Sequence, residues 1–265
     1  MNTHVTGTLC AAAMLLGAGA IAAQAGTIAL HRESFSGQAV SISTNSGSSY
    51  QSVTGGRFTW SDRAASDTLD IADLGAVTTP ASDLITFCIE AFETVGSNAT
   101  YDVVDIWDAP KDNGGTNPSP MGIARATLLT KLANHAIDTF GAAIGSWTTA
   151  QIVPFQIAIW EVVNEQVTPL AGVDIDTGNF RVTSGNATWL SDADSLLSAA
   201  VGFAGPLDYS LGGLSSPSGG LTAVRQDQMY FMQSPPPPPI IPTPTAAAAG
   251  LLGLGLLAAR RQAKA

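Results

Sequence analysis

The run LITFCI, residues 84–89, decides how the middle of this chain folds. It is apolar except for one threonine and short enough for a buried strand, which would carry Cys88. Further along, apolar residues recur at helical spacing over 121–142 and predict an amphipathic helix. The change from strand-like to helix-like patterning predicts an α+β fold, with a β-rich core and a helical insertion.

Weaker patterns complete the predicted secondary structure. A second helix is expected to begin near Thr148 or Pro154 and to end near Asn164. Because proline is tolerated in the first turn of a helix, Gln156 would lie near the N-terminus of this one. The remaining predictions are strands at 40–43, 57–60, 103–107 and 178–182, loops at 43–56 and 112–118, and a third helix at 192–203 capped by Ser191.

The N-terminus has the pattern of a signal peptide. Residues 9–22 are small and apolar, and Ala23-Gln24-Ala25 has the small-x-small pattern of a signal-peptidase site. We therefore expect residues 1–25 to be a signal peptide that is cleaved after Ala25. The mature extracellular domain is then predicted to span 26–233.

The C-terminus has a different composition. Residues 234–245 are a proline-rich linker, including an unbroken run from Pro235 to Pro239, and favour an extended spacer. Residues 246–265 follow as a hydrophobic helix with a basic tail, Arg260-Arg261. The apolar part is shorter than the ~20 residues of an ordinary membrane span. The order of spacer, hydrophobic segment and arginines predicts a sorting signal, and a plain anchor helix is the alternative.

This tail resembles the PEP-CTERM sorting signal, in which Pro-Glu-Pro precedes the helix. Here Pro242-Thr243-Pro244 stands in that place, and the segment that ends in Arg260-Arg261 otherwise resembles the family. The resemblance implies a brief stay in the inner membrane, processing by an exosortase-type enzyme, and delivery to the cell surface, outer envelope or extracellular matrix.

Charge excludes two classes of partner. The chain has 21 acidic and 11 basic residues, a net charge of −10, and every acidic residue lies between Glu33 and Asp227. Nucleic acids and anionic membrane surfaces bind basic faces, so neither is an expected partner.

Cys88 is the only cysteine that remains once the predicted signal peptide, with Cys10, is removed. A single thiol in an exported protein can be buried and inert, paired between molecules, or reactive. Reaction requires the thiolate, which the N-terminus of the helix near Gln156 would stabilise. Attack of this thiolate on the Gln156 amide would release ammonia and leave a thioester, and Phe87, Phe155 and Trp160 would shield that bond from water.

Two motifs resemble the Cys–Gln thioester domains of bacterial surface adhesins. Cys88 lies in an aromatic-Cys-hydrophobic motif, and Gln156 opens Gln-Ile-Ala-Ile-Trp, 156–160, with Phe155 where many of these domains have threonine. The resemblance, over about 80–205, implies a Cys88–Gln156 thioester that attaches the protein once to an amine-bearing protein or matrix component. It implies no enzymatic turnover, no cofactor and no metal.

Two other functions stay open at this stage. One is a non-covalent, β-rich structural or binding module of the matrix. The other is a cysteine hydrolase, for which His31 and His135 are the candidate bases in the mature chain. Residues 174–179 fit a turn better than a calcium loop. Glu161 and Glu165 are expected on a solvated helix face.

Overall fold

One long strand at the start of the domain organises the sheet. The computed structural model describes residues 26–63, 68–110, 120–165, 172–184, 186–217 and 225–234. The strands are β1 (Gly26–Ser43), β2 (Gln51–Asp62), β3 (Leu84–Cys88), β4 (Asn98–Asp105), β5 (Arg181–Ser184), β6 (Tyr209–Ser215) and β7 (Gln228–Gln233). The α-helices are α1 (Gly122–Phe140), α2 (Thr149–Asn164) and α3 (Ala187–Gly202).

All the strand pairs are antiparallel, in the order β2-β3-β7-β6-β4-β1-β5, and β1 also pairs with β2, so the sheet closes on itself. β1 makes this possible because it pairs with β4 through its first residues and with β2 from Leu30 to Ile42. The register of β1 against β2 shifts between Arg32 and Ser34. Such a bulge bends a strand and increases its twist.

α2 lies at the centre of the domain. It packs on β1, β2 and β3 and is also in contact with α1 and α3. Every residue from Ile152 to Asn164 is buried, which is the pattern of a helix enclosed on all sides. The polar side chains of this segment, including Gln156, are therefore held inside the protein.

The predicted α+β class is confirmed, since the described part of the chain combines a seven-stranded antiparallel sheet with three α-helices. The strand at 84–89 and the helix at 121–142 are also confirmed, apart from their ends. The loop predicted at 43–56 is wrong from Gln51 onward, where β2 begins. The third helix begins at Ala187, because Asn186 rather than Ser191 caps it: its Oδ1 accepts from the Thr188 N–H at 2.9 Å. β6 and β7 were not predicted.

The predicted position of Gln156 near a helix N-terminus is wrong. α2 begins at Thr149, and the side chain of Gln151 reaches back to accept from the Thr148 N–H at 2.8 Å, as in a capping box. Pro154 is therefore inside the helix and Gln156 about two turns from its start. One main-chain hydrogen bond is lost at Pro154, and burial of the whole helix outweighs it.

Several predicted features lie outside the described residues: the signal peptide of residues 1–25, the break at 112–118, and the linker and sorting helix beyond residue 234 with Pro242, Thr243, Pro244, Arg260 and Arg261. Within the described ranges, none of the helices has the length and apolar character needed to cross a membrane.

Candidate functional site

Cys88 is the last residue of β3 and is completely buried. Its thiol donates a hydrogen bond to Oε1 of Gln226 at 2.7 Å. On another side, Nε2 of Gln228 donates to the sulfur at 3.8 Å. The sulfur therefore contacts two buried carboxamides, that of Gln226 just before β7 and that of Gln228, the first residue of β7.

Gln156 is also completely buried, and its carboxamide makes two hydrogen bonds to the main chain of Cys88. Its Oε1 accepts from the Cys88 N–H at 3.1 Å, and its Nε2 donates to the Cys88 carbonyl at 2.7 Å. The β2–β3 ladder ends one residue earlier, at the pair of Arg57 with Phe87. The carboxamide thus takes the place that the next residue of β2 would occupy in a continued ladder.

Gly55 allows this close approach of α2 to β2. A Cβ at this position would lie 3.1 Å from Cγ of Gln156 and 3.1 Å from the ring of Trp160. Side chains one helical turn apart lie on the same face of a helix. Gln156 and Trp160 therefore share the space that the missing side chain of Gly55 leaves open.

The other two predicted shielding residues form a separate cluster. The rings of Phe87 and Phe155 meet edge to face with centroids 5.0 Å apart, and Trp147 and Phe231 complete the cluster. Neighbouring residues of a strand point to opposite faces, so Phe87 lies across β3 from the Cys88 sulfur. Trp160 is the predicted shielding residue that lies with Gln156 against Gly55.

A chain of hydrogen bonds orients Gln228 toward the sulfur. Nε1 of Trp60 donates to Oγ1 of Thr86 at 2.8 Å, and that hydroxyl donates to Oε1 of Gln228 at 2.5 Å. With its oxygen so engaged, Gln228 presents its amide nitrogen to Cys88. Gln226 and Gln228 were not predicted from the sequence, because a glutamine side chain by itself gives no sign of burial. Their position beside the apolar run 229–232 was the available signal.

Buried acidic residues lie next to these hydrogen-bonded glutamines. The Asp227 N–H donates to Oε2 of Glu90 at 2.8 Å, and Nε2 of Gln226 donates to the Glu90 carbonyl. Burial, with the nearby Asp227 carboxylate, raises the pKa of Glu90 to about 10. Burial also raises the pKa of Glu93, whose carboxylate shares a hydrogen bond with Glu90. Glu90 is therefore protonated at neutral pH.

The thiol of Cys88 is neutral as well. Burial, followed by the Glu90 carboxyl, raises its pKa well above the ordinary value, and the hydrogen bond from Gln228 acts weakly in the opposite direction. The expectation that a helix N-terminus would stabilise the thiolate is wrong, because Gln156 lies within α2 rather than at its start. The main-chain N–H of Cys88 itself is the donor that faces the Gln156 oxygen.

The structure also places the other candidate residues. His31 is exposed, with Nδ1 2.7 Å from Oδ1 of Asn98, and His135 is half-buried on α1. The solvated face expected for Glu161 and Glu165 is wrong, since both are buried. Oε1 of Glu161 accepts from the Asp174 N–H at 3.0 Å, and burial raises its pKa to about 9. Within the described ranges no group of three or more His, Cys, Asp or Glu residues is arranged to hold a metal ion.

Comparison with known proteins gives no relative for this chain: no family model, curated protein or solved structure matches it.

Proposed function

We propose that this is an exported surface or matrix protein that forms a thioester between Cys88 and Gln156. The thioester would react once, with an amine, and attach the protein covalently to it. The described domain would be a thioester domain with a helical insertion, and the C-terminal tail would be handled by an exosortase-type enzyme. The protein is consumed by its reaction and is in that sense not an enzyme.

The main support is the double hydrogen bond between the Gln156 carboxamide and the Cys88 main chain. It places the amide carbon beside the residue that carries the sulfur. The Cys88 N–H already donates to the oxygen that becomes negative during attack, which is how oxyanion donors lower a barrier. The Cys88 carbonyl holds the nitrogen that leaves.

The bond would form in one exchange. The thiol gives up its hydrogen bond to Gln226, and its sulfur attacks the side-chain carbonyl carbon of Gln156. The C–N bond breaks, and the thiol proton leaves with the nitrogen as ammonia. When an amine later attacks the same carbon, a new C–N bond forms, the C–S bond breaks, and the sulfur recovers a proton as the thiol of Cys88.

A non-covalent matrix module is the second candidate, and one observation favours it. The Cys88 thiol is neutral, completely buried and hydrogen-bonded to Gln226, as an inert core cysteine would be. In that case the carboxamides around it would serve only to satisfy buried main-chain groups.

Intact mass of the purified mature protein distinguishes the two. The thioester predicts a mass lower by one ammonia, and methylamine should add at Gln156 while one thiol becomes titratable. Cys88→Ala and Gln156→Ala should both abolish the mass deficit, and Gln226→Ala should keep it. A deficit that survives in Gln156→Ala and disappears in Gln226→Ala would assign the bond to Gln226 instead. Full mass, a free thiol and no adduct in the wild type would leave the matrix module.

A further inference from the structure

A pocket of about 470 Å³ opens beside Gln226, the residue that accepts the hydrogen bond of the Cys88 thiol. Phe35, Val53 and Phe58 of the β1–β2 hairpin form its apolar side, with the rings of Phe35 and Phe58 4.7 Å apart. The segment 91–95 forms the facing side. None of the residues on these two sides carries a role in the function proposed above.

One lining residue, Gln226, connects the pocket to the site. Its Oε1 is the atom that contacts the Cys88 sulfur. The pocket therefore meets the site at the Gln226 carboxamide, on the side of the Cys88 sulfur.

The polar side of the pocket suits a cation on an apolar stem. Glu93 lines it, and its Oε2 is buried without a hydrogen-bond partner among the described residues. Arg32 also lines it, but its guanidinium donates to the Val95 carbonyl at 3.1 Å. An alkylammonium side chain such as that of lysine places methylene groups against phenylalanine and valine while its charged end seeks an acceptor.

We propose that this pocket receives the alkylammonium side chain of the partner and that Glu93 is the base that makes it nucleophilic. This inference rests on the proposed thioester. Glu93 takes one proton from the ammonium, and the neutral amine attacks the acyl carbon of Gln156. The C–S bond breaks as the new C–N bond forms, and the second proton of the nitrogen passes to the sulfur. Glu93 then releases its proton to water.

Three features of the site agree with the proposed reaction. Burial raises the pKa of Glu93 and so makes its carboxylate a stronger base. Protonated Glu90 shares a hydrogen bond with the Glu93 carboxylate, which orients that group, and Oε2 of Glu93 has no hydrogen-bond partner among the described residues. When the sulfur leaves, Gln228 is in position to donate to it.

The test measures the second-order rate of thiol release from the full mature protein with Nα-acetyl-lysinamide and with methylamine. Glu93→Gln should lower both rates by roughly 100-fold, the usual size of a lost general base. Ser52→Trp, at an exposed lining position, should close the pocket to the lysine analogue and lower its rate at least about tenfold, with a smaller effect on methylamine. Glu33→Gln and Gln51→Trp are matched controls, because both residues are exposed and neither lines the pocket.

The mass of each variant keeps the two proposals apart. A wild-type protein without the ammonia deficit refutes the thioester itself. If the deficit is present in the wild type and in Glu93→Gln and Ser52→Trp, yet both variants react at the wild-type rate, the pocket and the base are refuted while the thioester stands. If Glu93→Gln fails to form the bond, Ser52→Trp alone decides whether amines approach through this pocket.

Discussion

Cys88→Ala and Gln156→Ala should both abolish the proposed bond, yet they should differ in stability. Cys88→Ala removes one buried sulfur, worth about 1 kcal/mol as lost apolar burial, and leaves the buried Oε1 of Gln226 without its donor, at about 1–3 kcal/mol. It keeps the contacts of Gln156 with the main chain. Gln156→Ala leaves the buried N–H and carbonyl of Cys88 without those partners, at about 1–3 kcal/mol each. Any contribution of the cross-link is lost equally in both variants. We therefore expect Gln156→Ala to be less stable by about 1 kcal/mol.

Urea unfolding at neutral pH, followed by tryptophan fluorescence, measures this difference directly. The five tryptophans of the chain supply the signal, and Trp160 lies beside the substituted residue. The transitions should have similar slopes and clearly separated midpoints. Equal midpoints, or a less stable Cys88→Ala, would show that the Gln156 carboxamide does not satisfy the main chain of Cys88 as described.

Glu161→Gln should stabilise the protein at neutral pH. The pKa of Glu161 is about 9 in the folded protein and 4.5 ordinarily, so the free energy of unfolding of the wild type falls as pH rises between these values, by about 3 kcal/mol at pH 7. Glutamine does not ionise, so the variant avoids this loss. Urea midpoints at pH 5 and pH 8 check this, and an equal gain at both would contradict it. Gly55→Val should displace Gln156 and prevent the ammonia loss, while Gly172→Val, where an added Cβ meets nothing within 4 Å, should retain it. The mature native protein should begin at Gly26 and fractionate with the envelope or extracellular material; a cytoplasmic form that keeps Met1 would rule out export.

The sequence was sufficient to predict the α+β class, the strand of Cys88 and the helix of Gln156, because each rests on a local apolar pattern. The structure also brings the Gln156 carboxamide to the main chain of Cys88. No spacing rule predicted that contact, which depends on the ladder ending at Phe87 and on a glycine at position 55.

Features that depend on tertiary surroundings were missed or misplaced. α2 is buried on all sides, so its sequence has no contrast between a polar and an apolar face. The burial of Glu161 could therefore not be inferred from the sequence pattern. β6 contains Gly212 and Gly213, which favour a turn in isolation but lie inside a ladder here. Gln226 and Gln228 are polar residues whose burial is set by partners far away along the chain.

The position of β7 has a mechanical consequence. This strand is bonded to β3 on one side and to β6 on the other, and it is the last strand before residues 235–265. If a partner held the protein at Gln156, tension on the chain beyond Gln233 would pass through residues 157–232 of the backbone. A pull directed along β7 would load both ladders in shear, because their hydrogen bonds lie across the strand. The two ladders would then have to fail together, whereas a strand peeled from an edge loses its bonds one after another.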